Sequence, residues 1–160
     1  MILDALANFA TDVLLHPAEK VIIENSWKNY KQINWSDNII LVGMISKKVQ
    51  GTSEIFNPIN ESIEYVTNYT GIATFTFYGD ESEDNALHFV PLCKAERSIQ
   101  SAKENYFTYK LPKTVTHIGK VVGSQNQHKY QIEMMVAWSE SATVETLRID
   151  TADIQFLVNK

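Results

Sequence analysis

The stretch Ile63-Glu64-Tyr65-Val66-Thr67-Asn68-Tyr69-Thr70-Gly71-Ile72-Ala73-Thr74-Phe75-Thr76-Phe77 decides the fold class. Its odd positions run Ile63, Tyr65, Thr67, Tyr69, Gly71, Ala73, Phe75, Phe77, while the even set is more polar and Thr-rich. Side chains alternate sides in extended chain, so a period of two predicts a long strand with one buried face. Gly71 is where such a strand bends. On its C-terminal side, Gly79 closes the run and Asp80 with Glu83 forms a capping pattern for a helix starting at about Glu81. Ala86, Leu87, Phe89, Val90, Cys93, Ile99 and Ala102 are its apolar members, and it ends near Asn105. Pro91 must kink or split it, because an interior proline costs about 3 kcal/mol.

Upstream, Ile39–Val49 is a strand candidate and Gln50-Gly51-Thr52-Ser53 reads as a turn. Val21–Ile23 is a short strand. Residues 2–15 form an amphipathic helix, with Ile2, Leu6, Phe9 and Val13 at helical spacing. His16-Pro17 stops it, since the residue before proline disfavours the α region. Downstream, Thr114–Val122 is a strand, Gly123–Asn126 a turn, and Tyr130, Ile132, Met134, Val136 and Trp138 share a face of another strand. Glu140–Ala142 reads as a reversal. In the last strand the apolar parity changes between Leu147/Ile149 and Ile154/Phe156/Val158, which requires a bulge near Thr151–Asp153. The expected architecture is one α+β domain over residues 1–160, a mostly antiparallel sheet packed with an N-terminal helix and a central, kinked helix.

A chain of 160 residues can bury a core without cross-links. Its 44% apolar and 21% charged content is ordinary for a folded protein, and six Gly and four Pro leave no disordered tract. Cys93 stands alone, so no intramolecular disulfide forms. The N-terminus carries Asp4 and Asp12 without a basic leader or cleavage pattern, which argues against a signal peptide, and no apolar run spans a bilayer.

Charge is unevenly placed. Residues 51–90 hold Glu54, Glu61, Glu64, Asp80, Glu81, Glu83 and Asp84 with no Lys or Arg, whereas residues 94–129 hold seven bases against Glu96 and Glu104. The two windows carry −7 and +5. Opposite charge on two faces favours head-to-tail association, which closes into a ring where the rotation permits. Folding of the acidic segment against the basic one within a subunit is the other reading. The candidate contact residues are Asp80, Glu81, Glu83 and Asp84 on one side and Lys110 and Lys113 on the other. Trp27, Tyr30 and Trp35 in the polar stretch Asn25–Asp37 join them, being of the residue types that dominate interface energetics; the same aromatics also suit the rim of the protein's own core.

Chemistry finds no foothold. Asp80, Ser82 and Asp84 match the first offsets of a calcium loop, but the twelfth position is Pro91 where a bidentate Glu is needed. His16, His88, His117 and His128 lack metal-ligand spacing to each other or to Cys93. No P-loop, dinucleotide fingerprint, nucleophile elbow or H-E-x-x-H is present. The expectation is a non-enzymatic protein without metal or cofactor. The bases of 94–129 are spread over helix, loop and strand, which argues against sequence-specific DNA binding.

From about Ile63 onward the chain resembles the tail terminator (neck terminator) proteins of tailed bacteriophages. The resemblance is carried by Tyr69–Gly79 (YTGIATFTFYG), the helix containing Ala86, the helical stretch leading to Leu111-Pro112, and the alternating strands 129–138 and 143–158. Two features depart from that pattern: Asn25–Asp37 lacks proline, and Gln127-His128-Lys129 stands where an Arg is common. The resemblance implies a virion protein assembled in the host cytoplasm. It would form a hexameric ring at the head-proximal end of the tail, stop tube polymerisation and join the tail to the neck. The implied partners are its own copies, the tail tube protein and the head-tail connector, with a sheath as a further one in a contractile tail. DNA would pass the lumen without sequence-specific contact, and no membrane is involved. The alternatives are another neck component (a tail completion or connector subunit), or a small-molecule or peptide-binding domain using the sheet face around Trp138.

Overall fold

The computed structural model describes residues 1–24, 36–122 and 125–145. Helix α1 (Ile2–Leu14) buries Leu6, Phe9, Ala10 and Val13 along one stripe. It ends on Leu15 in the left-handed region (φ 54), just ahead of Pro17. Strand β1 (Val21–Ile23) runs parallel to β2 (Ile39–Asn57). The remaining order is β3 (Ser62–Tyr78), α2 (Ser82–Leu92), α3 (Glu96–Glu104), β4 (Phe107–Tyr109), β5 (Val115–His117), β6 (Lys120–Val122), β7 (Gln125–Gln127) and β8 (Lys129–Glu145). The main sheet has the order β1-β2-β3-β8-β4, with β5 also on β8, and every pair except β1–β2 is antiparallel. β6 and β7 form a separate two-stranded ribbon. This is the expected α+β class.

The core lies between the helices and one face of half the sheet. Register explains the choice of face: Val42 opposes Phe75, which opposes Ile132, and Ala73 opposes Met134. Each such row puts three apolar side chains on one side of neighbouring strands, where cross-strand pairs contribute most. Phe9 and Phe89 drop into that face, Phe9 edge-on to Phe107 at 5.4 Å and Phe89 over Phe75 at 4.9 Å. The central helix is split, as expected, but after Pro91: the proline sits in the last turn of α2, which ends at Leu92, and α3 begins at Glu96.

Several local expectations are corrected. Gln50–Ser53 is no turn: β2 runs through it, and the register slips between Val49 and Gly51 absorb one extra residue. A full-length partner, β3, outweighs the weak strand propensity of those polar residues. The chain turns instead at Asn57–Glu61, where the Asn57 side-chain oxygen accepts from the backbone N–H of Ile59 at 3.0 Å and Glu61 adopts φ 46. Glu140–Ala142 is no reversal either, because β8 stays paired with β3 as far as Glu145 opposite Ser62. Thr114–Val122 breaks into β5 and β6, and the turn expected at Gly123–Asn126 is shorter than read, because β7 begins at Gln125 directly opposite Val122 of β6. The Asp80–Glu83 capping pattern makes no side-chain cap; the Glu81 N–H donates to Asn38 Oδ1 at 3.0 Å from across the molecule. The parity change near Thr151–Asp153 lies outside the described residues.

Candidate interaction surfaces

Alternation in β3 continues over its full length, but burial does not. From Gly71 to Phe77 the strand is buried or nearly so, whereas from Ile63 to Thr70 it is partly exposed, its β2 neighbours are exposed, and β8 is exposed from Ser139 to Glu145. β2, β3 and β8 therefore leave the core together as a three-stranded arm. Between Thr70 and Ser62 it extends roughly 25 Å at about 3.4 Å per residue. Its polar cross-strand contacts are Gln50 to Thr70 (2.7 Å), Thr52 with Thr67 (3.1 Å) and Ser139 to Asn68 (2.6 Å). Its apolar side chains gain little from the subunit itself: Ile55, Phe56 and Val144 are more than half exposed, and Ile59 at the tip is 89% exposed. Single exposed hydrophobes are ordinary, but a group on a projecting element marks a contact surface.

A cluster fixes the arm where it leaves the core. Tyr69 and Trp138 oppose each other in register and stack at 5.4 Å. Lys47 lies over both rings, 4.2 Å from the Tyr69 centroid and 5.3 Å from that of Trp138, and pairs with Glu140 at 3.6 Å. Trp138 Nε1 donates to the same carboxylate at 3.1 Å. Gly71 is required here, because a Cβ would come within 2.5 Å of the Ser46 carbonyl oxygen.

Beside the arm, β4 pairs with β8 on one side, and among the described residues nothing pairs with its other edge. Next to that edge, between α3 and the segment after β4, is a groove of about 380 Å³. Phe107, Tyr109 and Ala102 line its floor, Ile99 and Leu111 stand half-exposed at its mouth, and Lys94 and Lys103 border it. No acidic residue lines it. The Tyr109 hydroxyl donates to the Cys93 carbonyl at 2.5 Å, and burial, with Cys93 nearby, pushes its phenol up. Burial alone pushes the Cys93 thiol up to about 12, so it stays protonated and unreactive at neutral pH.

Residues 2–160 match the family model described as phage neck terminator protein. The chain belongs to the phage neck terminator family. Among curated proteins, none matches it. Membership makes it a structural component of a bacteriophage tail or neck. In this terminator, Asp80, Glu81, Glu83 and Asp84 are all exposed around the start of α2. Lys110 and Lys113 are exposed just past β4. Lys110 bonds to β8 at Met135, while the strand before the acidic run pairs β8 at Lys129, so the two groups sit roughly 20 Å apart along the sheet. The structure does not bring them together within one subunit. The ion pairs seen among the described residues, the Met1 amino group with Asp4 and Lys47 with Glu140, do not join the acidic window to the basic one. Trp27, Tyr30 and Trp35 lie outside the described residues.

His117 and His128 do converge, Nε2 to Nδ1 at 3.2 Å with stacked rings, though both are exposed. Among the described residues no three His, Cys, Asp or Glu side chains gather as a metal site, and no helix is long and apolar enough to cross a membrane. Reading the sequence missed the arm, its root cluster and the β4 groove. One signal is present: Asn57-Pro58, a strong turn dipeptide, begins four residues beyond Ser53.

Proposed function

We propose that this protein is a single-domain, non-enzymatic subunit that closes into a hexameric ring at the head-proximal end of the tail. There it ends tube growth and presents a surface to the head-tail connector. The observation carrying this reading is the exposed three-stranded arm, which projects from the core with apolar side chains its own subunit leaves in solvent. Segregated charge supports it further, since −7 and +5 windows on one chain suit a contact between unlike surfaces, the kind that generates rings. Copies of the chain, the tail tube protein and the connector are the partners, with a sheath where the tail contracts, and DNA passes the lumen unread.

Sedimentation of purified protein, alone and with tail tubes, tests the ring: the expected species is about six times the 18.2 kDa subunit. Electron microscopy of intact particles then locates the layer. Density for this chain at the last tube ring supports termination, whereas density one layer nearer the head assigns it to a tail completion or connector role.

A further inference from the structure

We infer that the arm tip of one copy seats in the lysine-bordered groove beside β4 of the next copy, so that the ring is built from unlike surfaces. The inference rests on the ring reading and names its contact. Two observations support it. The distal arm, residues 51–66 of β2, its turn and β3 together with residues 141–145 of β8, carries Glu54, Glu61, Glu64 and Glu145 and no Lys or Arg. At its tip stand the exposed side chains of Ile55, Phe56 and Ile59. The groove has the opposite character. Its mouth offers Ile99 and Leu111, its border is Lys94 and Lys103, and no carboxylate lines it.

Apolar area drives such a contact, and the charges select the orientation. Ile59 and Phe56 supply the hydrophobic centre, while the glutamates on either side of the tip meet the two lysines at the rim, where solvent still reaches them. The groove also adjoins the open edge of β4, so an arriving strand finds unpaired backbone groups there among the described residues. Arm and groove lie on different parts of the subunit, which is the condition for a contact that repeats around a closed circle.

The test is oxidative cross-linking of a mixture of Ile59→Cys and Ile99→Cys proteins, both changes being at exposed positions, with the linked peptides identified by mass spectrometry. The native Cys93 is buried and stays out of the reaction. The expected result is a peptide pair joining residue 59 of one chain to residue 99 of another. In parallel, Lys94→Glu with Lys103→Glu raises the concentration for half-assembly about tenfold or more, and adding Glu54→Lys with Glu64→Lys restores it. Circular dichroism melting checks that each variant is folded. A wild-type protein that sediments as a ring while the 59–99 peptide pair is absent and the lysine reversals have no effect overturns the docking and leaves the ring standing. A wild-type protein that stays monomeric alone and on tail tubes removes the ring reading, and the docking with it.

Discussion

Phe9 makes ring contacts with Phe89 at 6.2 Å, Phe107 at 5.4 Å and Tyr109 at 5.0 Å, tying the first helix to α2 and β4. Phe9→Ala is expected to cost about 3–5 kcal/mol, the usual range for emptying an aromatic site in a close-packed core. The drop is read from the denaturant midpoint. Gly71→Ala tests a different kind of constraint. Its new methyl would press on a backbone carbonyl, which cannot rotate away as a side chain does. A loss of about 1–3 kcal/mol in thermal unfolding is expected. Cys93 gives a pH dependence whose sign follows from its burial. The unfolded thiol ionises near its ordinary value of 9.0, and the folded one at about 12. Between those values the unfolded state gives up a proton that the folded state keeps, so stability is full below pH 9 and falls as pH rises toward 12. Cys93→Ala should flatten that alkaline decline in urea titrations, and native protein should react with a thiol reagent no faster than it unfolds.

Among the elements, the start of α2 shows how a local motif loses to tertiary structure. The sequence offers Asp80 and Glu83 as a cap, yet the amide of Glu81 is bound by Asn38, which lies just ahead of β2. Asn38→Ala should therefore cost about 1 kcal/mol, while Asp80→Ala should change thermal stability by less than about 0.5 kcal/mol. If Asp80 proved the costlier loss, the cap would be local after all. The same contest governs what could be read from the sequence. β3 and the core half of β8 were legible because half-buried strands impose a period of two, and α1 because its apolar stripe holds a helical period. The breaks placed at Gln50–Ser53 and Glu140–Ala142 were wrong for one reason. Both segments are polar because they lie in an arm with no core behind it, and polarity in a strand exposed on both faces looks like a loop. The groove was illegible because Ile99 and Leu111 come from separate elements and meet only through the packing of α3 beside β4.

At the scale of the whole molecule, charge should act on assembly and leave the fold alone. Raising salt from 0.1 to 1 M shortens the reach of exposed charges from ~10 Å to ~3 Å. Sedimentation is expected to show weaker association across that range while the melting temperature shifts little; association indifferent to salt would remove electrostatics from the docking. The four glutamates of the distal arm have one more consequence. Most homo-oligomers pair through a two-fold axis, with the same patch meeting itself. Two such tips brought face to face would crowd carboxylates on carboxylates, since the distal arm carries no Lys or Arg. The arm thereby discourages a symmetric dimer, a dead end that would consume subunits before any could gather on a tail.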